Sequence, residues 1–281
     1  MGYELPFNFL GIPEVNPAEA RVVVLPVPFE ETTSYGQGVV AGPEAIIAAS
    51  RQVELYNLEL GDEIQELVKI TTAPSVNGGR EVIEEMAAKW TDKFLISLGG
   101  EHSITPHLIK PLLKKYPDLS VLQIDAHTDM RDKWEGSKNS HACAMRRVQE
   151  LGVKNIVQVG IRNTAKEEQQ FLRQKNIFWG GKYKLEQILD KLTDDVYLTF
   201  DVDGLDISIM PATGTPEPGG LTYSQVLEII KATAQKKNLV AADFVELSPI
   251  KNIPAYDFLV AKLIYSLISY KIELWRDKAH S

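Results

Sequence analysis

Runs that are apolar at nearly every position recur along this chain, at residues 21–29, 94–98, 121–124, 155–161, 196–200 and 239–247. A strand with one wet face alternates apolar and polar residues. A strand buried on both faces does not, and such strands belong to parallel sheets covered by helices. Segments of helical spacing lie between the runs. The first opens at Gly42-Pro43 and carries Ile46 and Ile47; the next, residues 80–89, carries Val82, Ile83 and Met86. Others run through Leu108, Ile109, Leu112 and Leu113, over 141–151, through Glu167, Phe171 and Leu172, over 184–192, over 221–233, and after Pro254. This alternation predicts an α/β fold with a parallel sheet covered on both faces. No linker, repeat or low-complexity stretch interrupts it, so residues 1–281 are expected to form one domain.

Several of these runs end in acids or imidazoles. Residues 121–129 close in Asp125-Ala126-His127-Thr128-Asp129. Alternate side chains of an extended segment share a face, so Asp125, His127 and Asp129 project together. His102 follows the run at 94–98, Asp201 and Asp203 close another, and Glu246 lies near the end of a fourth. Each alone could be a capping residue. Together they fall where open parallel α/β sheets bind ligands, outside the carboxyl ends of the strands. The aspartates and histidines form a hard, mostly oxygen donor set without thiolate, which favours Mn²⁺ over zinc. His102, Asp125, His127, Asp129, Asp201 and Asp203 are too many for one catalytic metal with an open position. They suit two metals sharing carboxylates and a bridging water.

The formal charge of -8 and the lack of a dense Lys/Arg block exclude a nucleic-acid surface. The single cysteine, Cys143, excludes an intrachain disulfide and fits a reducing compartment, so the cytoplasm is the expected location. The N-terminus has neither the basic nor the apolar region of a signal peptide, and Pro6 stands where a myristoylation signal needs Ser or Thr. Lys262 and Lys271 interrupt the apolar stretch at 258–272, which reads as a core helix and not a membrane span. Cys143 beside His141 could be read as a Cys–His pair, but no second histidine is left to serve as base. The Gly214 to Gly220 stretch lacks the Gly-Lys-Ser/Thr of a phosphate loop and reads as a rigid loop beside Asp203. Trp134 reads equally as pocket wall or as packing. His107 and His280 match no motif and read as a helix-surface and a tail residue.

The motifs Leu98-Gly-Gly-Glu-His-Ser103, Asp125-Ala-His-Thr-Asp129, Thr199-Phe-Asp-Val-Asp-Gly-Leu-Asp206 and Pro211-Ala-Thr-Gly-Thr-Pro-Glu-Pro-Gly-Gly220 resemble the arginase/agmatinase (ureohydrolase) family. The likeness runs from the loop at 32–43 to Glu246-Leu-Ser-Pro249. It implies a three-layer αβα sandwich with a mainly parallel sheet, two Mn²⁺ per subunit, and a homo-oligomer, trimer or hexamer. By this resemblance His102, Asp125, Asp129 and Asp201 hold one manganese, and His127, Asp125, Asp201 and Asp203 the other. Asp125 and Asp201 bridge. Asp129, His141 and Glu246 take the catalytic roles: Asp129 orients the nucleophile, His141 shuttles protons, and Glu246 holds the guanidinium. His141 and Glu246 would also touch the substrate. The chain departs from many members at Ala142-Cys143, where Gly is common after the histidine, and at Glu101, where Asp is common.

The resemblance also bears on the substrate, a small cationic guanidine. Arginases bind the α-amino group of arginine with an Asp two residues past a turn that here reads Gly160-Ile-Arg-Asn163; this chain has Ala165 there. The loop after Asp129 lacks the Asn/Thr/Ser run that arginases turn toward the α-carboxylate. Agmatine, cleaved to putrescine and urea in polyamine biosynthesis, is therefore expected. Arg131 could instead pair with the carboxylate of guanidinobutyrate or formiminoglutamate, and N1-aminopropylagmatine stays open. A non-catalytic binding protein of the same fold would be marked by a lost ligand, and all six positions are filled. Asp132 and Glu135 are expected to face the distal ammonium of agmatine.

Overall fold

A computed structural model describes residues 6–280, with side chains as far as residue 273. The N-terminal five residues and the side chain of His280 lie outside the described part. The chain runs β1 (Val22–Val27), α1 (Gly42–Ser50), the hairpin β2 (Tyr56–Asn57) and β3 (Asp62–Glu63), α2 (Ile64–Leu67), β4 (Ile70–Thr72), α3 (Arg80–Ala88), β5 (Phe94–Gly99) and α4 (Thr105–Ile109). It continues through β6 (Ser120–Ile124), α5 (Ala144–Glu150), β7 (Asn155–Ile161), β8 (Ile177–Trp179), α6 (Leu185–Lys191), β9 (Asp195–Asp201), α7 (Tyr223–Lys236), β10 (Asn238–Val245) and α8 (Ala255–His280).

Eight strands form one sheet in the order β4-β1-β5-β10-β9-β6-β7-β8, and every pairing in it is parallel. That order dictates the layers. The crossovers β4→β5, β5→β6 and β6→β7 step one way across the sheet, and right-handedness places α3, α4 and α5 on one face. The crossovers β1→β4, β8→β9 and β9→β10 step the other way and place α1, α6 and α7 opposite. The contacts agree: α3 touches α4 and α4 touches α5, while α8 lies against α1 and α7, and α6 against α7.

Each central strand feeds both layers. Val22, Val24, Ile96, Leu98, Leu122 and Ile124 pack with Ile46, Ile230 and Ile264. Val23, Leu25, Leu95 and Val121 pack with Ile83, Leu108, Ile109 and Met145 on the other face. This two-sided burial is why the runs are apolar throughout. Among the described residues no helix is long and apolar enough to cross a membrane.

Three local expectations needed correction. The helix through Leu113 stops at Ile109 and gives way to a 3-10 turn at Lys110–Leu112, because Pro111 has no N–H to continue the ladder. The charged stretch around Glu167 forms only a 3-10 turn, Lys166–Glu168. Its Glu168 is 3% exposed and accepts from Thr128 Oγ1 and the Met130 N–H, each at 2.7 Å, which holds the segment against the loop after β6. The short edge strand β8 was not anticipated, because three residues of apolar sequence carry no strand period of their own.

Candidate metal centre

β5, β10, β9 and β6 are consecutive neighbours at the middle of the sheet, and the polar residues follow their carboxyl ends. His102 lies in the turn after β5, Glu246 directly after β10, Asp201 ends β9 with Asp203 beyond it, and Asp125 follows β6. Parallel strands point these ends the same way, so residues up to 144 positions apart in sequence touch: Glu246 Oε1 accepts the His102 N–H at 2.6 Å.

His102 is the centre of one group. It is 1% exposed, and its Nδ1 lies 3.0 Å from Asp129 Oδ2, 3.2 Å from Asp125 Oδ2 and 3.4 Å from Asp201 Oδ2. That buried Nδ1 has no hydrogen-bond partner among the described residues, while Nε2 sits 2.8 Å from Thr199 Oγ1. A second group forms around Asp203, whose Oδ1 accepts from the Ala126 N–H and whose Oδ2 is 2.9 Å from His127 Nδ1. Potential ligand atoms of His102, Asp125 and Asp129 lie within 4.8 Å of one another, as do those of Asp125, His127 and Asp203. Asp125 belongs to both groups; Asp201 stands outside each set and caps the turn below them through the Asp203 N–H.

The electrostatics show an excess of buried negative charge. Burial, with Asp203 and Asp129 beside it, lifts Asp125 to about 7. Asp201 is driven well above the usual carboxylate range by burial, Asp203 and Asp125. Burial lifts Glu246 to about 8. Burial opposes charge on His127, but Asp203, Asp125 and Asp129 outweigh it and hold the ring up to about 10. Asp203 is likewise penalised by burial, yet His127 brings it down to about 2. An unpartnered imidazole nitrogen aimed at three carboxylates fits a divalent cation between them, since only a cation satisfies all these lone pairs at once.

Around the carboxylates a cavity is lined by Tyr35, Arg131, Trp134, His141, Ala165 and Thr215, with Glu246 among its inner residues. His141 is reached through a relay of loops. Glu101, fully buried, accepts from the Glu31 and Thr32 N–H groups and from Thr32 Oγ1. Thr32 Oγ1 in turn accepts the His141 N–H at 3.0 Å and lies 3.3 Å from its Nδ1. The loop at 211–220 is tied to Asp203 by Arg162, which donates to the carbonyls of Asp203, Leu205, Glu217 and Pro218. Trp134 does line the cavity, with Arg131 stacked on its ring at 4.1 Å and paired with Glu167. His107 is half-buried beside Glu84.

One sequence expectation changes here. Asp132 turns away to Arg147 at 3.1 Å and Lys138 at 3.7 Å, and Glu135 is exposed in a tight turn with φ 45°; neither lines the cavity. A short spacing from Asp129 sets nearness in sequence but not direction. Cys143 is fully buried and burial raises its thiol to about 11, which removes it as a nucleophile. Sequence reasoning had passed over Gln123, Glu168 and the role of Thr199. Gln123 and Thr199 carried a signal, a polar residue within an otherwise apolar strand; Glu168, in a 3-10 turn, carried none.

Residues 20–269 match the sequence profile of the Arginase family. The N(1)-aminopropylagmatine ureohydrolase of Synechocystis sp. is 40% identical across 93% of this chain and 92% of its own length. The agmatinase of Pyrococcus horikoshii is 33% identical across 92% of this chain and 95% of its own. The crystal structure of agmatine ureohydrolase of Thermoplasma volcanium superposes with a TM-score of 0.83 at 29% identity, covering 92% of each chain.

Proposed function

The chain belongs to the arginase family and is a ureohydrolase; we propose that it cleaves the guanidinium C–N bond of N1-aminopropylagmatine, releasing urea and a triamine. Agmatine, which would give putrescine and urea, is the second reading. The observation that carries the substrate class is Glu246, a buried acid in the cavity. Its Oε1 is engaged by the His102 N–H, and Oε2 lies toward Gly214, another lining residue, 4.0 Å from where a Cβ there would stand. A buried carboxylate in this position calls for a cation opposite it. The choice of the longer amine follows the 40% identity to a protein of that name, against 33% to a named agmatinase. Arg131 supports a cationic tail over an anionic one, because Glu167 and the Trp134 ring already occupy its guanidinium.

A guanidinium carbon is a poor electrophile, since its charge is spread over three nitrogens. Two manganese ions, held by His102, Asp125, Asp129 and Asp201 and by His127, Asp125, Asp201 and Asp203, would supply an activated water near neutral pH. Glu246 fixes the guanidinium by charge-assisted hydrogen bonds, so the carbon meets its nucleophile in one orientation. Asp129 takes the proton of the attacking water and gives it to the departing nitrogen. As the C–O bond forms and the C–N bond breaks, the amine leaves protonated and urea remains. Asp129 delivers one proton of the water and His141, at the cavity wall, relays the other, so both end on the leaving amine and the charge balances.

The test is urea release with manganese from equal concentrations of aminopropylagmatine, agmatine, arginine, guanidinobutyrate and formiminoglutamate. The highest kcat/KM is expected for aminopropylagmatine, then agmatine. A preference for guanidinobutyrate or arginine would overturn the cationic-tail reading.

A further inference from the structure

One layer below the carboxylates the sheet carries a second polar row. Ser97 on β5, Asp243 on β10, Thr199 on β9, Gln123 on β6 and Gln158 on β7 are register partners across five neighbouring strands. All are buried. Aliphatic residues normally fill such strands, and buried polar groups are costly unless hydrogen-bonded. Part of the row reaches up to the residues above. Gln123 Nε2 donates to Asp125 Oδ2 at 2.6 Å, and Gln158 Nε2 supports Gln123 Oε1 at 2.6 Å.

The middle of the row acts on His102. Thr199 Oγ1 lies 2.8 Å from His102 Nε2 and 2.6 Å from Asp243 Oδ1. Asp243 Oδ2 accepts from the Tyr197 hydroxyl at 2.7 Å and the Thr105 hydroxyl at 2.9 Å. A hydroxyl has one proton, and a carboxylate only accepts. Thr199 therefore gives its proton to Asp243 and can only accept from His102. In the neutral ring, the form that binds a metal, Nε2 must then carry the one proton, which leaves Nδ1 as a bare lone pair. Nδ1 is the atom that faces Asp125, Asp129 and Asp201.

We propose that Asp243, acting through Thr199, is a positioning residue that fixes His102 as the Nε2–H tautomer and holds its Nδ1 lone pair ready for a metal. This rests on reading His102 as a ligand. Orienting partners of this kind typically change metal affinity by about 10- to 100-fold when removed. Asp243→Asn leaves one amide oxygen, which the Tyr197 and Thr105 hydroxyls claim, so the amide N–H faces Thr199, whose proton turns toward Nε2 and sends the ring proton to Nδ1. Thr199→Val keeps the volume and loses the hydroxyl, whereas Thr199→Ser keeps the hydroxyl.

Metal-free full-length enzyme is titrated with Mn²⁺, and free ion is followed by electron paramagnetic resonance. Wild type and Thr199→Ser are expected to bind two ions alike. Thr199→Val and Asp243→Asn should bind one ion as wild type does and the other about 10- to 100-fold more weakly. If Asp243→Asn does not fold, the Thr199 pair decides. Undiminished binding of both ions by Thr199→Val overturns the proposal, as does an equal loss in Thr199→Ser and Thr199→Val, which would mean packing alone. A wild-type chain that takes up no manganese would sink the metal centre, and this inference with it.

Discussion

Glu246 holds a backbone conformation that residues with side chains rarely adopt, φ 66°, and Asp129 does the same at φ 49°. Such positions cost about 1–3 kcal/mol and persist where the surroundings enforce them. At Glu246 the enforcement comes from its N–H donating to the Gly100 carbonyl at 2.8 Å and from its carboxylate taking the His102 N–H. The twist turns the side chain out of the strand alternation and toward the cavity. Glu246→Gln keeps the shape and removes the charge proposed to face the guanidinium. A hydrogen bond to a charged group contributes about 1.5–3 kcal/mol, so kcat/KM should fall roughly tenfold to a hundredfold, with manganese content unchanged. Asp125→Asn should instead lose metal and activity together, since Asp125 belongs to both ligand groups. Metal analysis beside steady-state kinetics separates the two, and metal loss in Glu246→Gln would make Glu246 a ligand.

Between elements, the site depends on how closely the exits of β1 and β5 cross. The Gly100 and Glu101 N–H groups donate to the Val27 and Phe29 carbonyls at 3.0 and 2.9 Å. A Cβ at Gly100 would stand 2.0 Å from the Phe29 carbonyl oxygen, with backbone that cannot rotate away. Gly100→Ala must push the two segments apart, and with them Glu101, which anchors Thr32, and His102. Overpacking of this kind costs about 1–3 kcal/mol. The urea midpoint should drop accordingly and manganese affinity should fall with it. An unchanged midpoint would mean that the crossing is looser than these contacts imply.

At the scale of the whole molecule, the buried carboxylates make stability depend on metal and pH together. In metal-free protein Asp125 is raised to about 7 and Glu246 to about 8. Between its ordinary and raised values each acid binds more protons folded than unfolded, so stability falls as pH rises from about 4 to about 8. His127, held up to about 10, acts in the same sense: its contribution is full below its ordinary range and is lost as pH rises toward 10. Chelated protein should therefore melt at a higher temperature near pH 5.5 than near pH 8 (about two units of pH suffice). Manganese needs deprotonated ligands, so saturating metal should raise the melting temperature near pH 8 by about 5–10 °C and reverse that order. Thermal scans at both pH values with and without chelator check it; a chelated protein more stable near pH 8 would contradict the buried-charge account.

The α/β class, the parallel sheet and the residues at the strand ends were legible in the sequence, because two-sided burial writes itself as unbroken apolar runs and each run ends where its polar residues begin. The turn at Lys166–Glu168 was not, since its state is set by the distant partners Thr128 and Met130. The orientation of Asp132 toward Arg147 was equally hidden. The polar row of Asp243, Thr199 and Gln123 was visible as single residues inside apolar strands, but their alignment exists only once β10, β9 and β6 are neighbours in register. Local sequence determined which segments could be buried and which side chains could bind; the tertiary structure alone decided strand order, and with it which lone pairs meet.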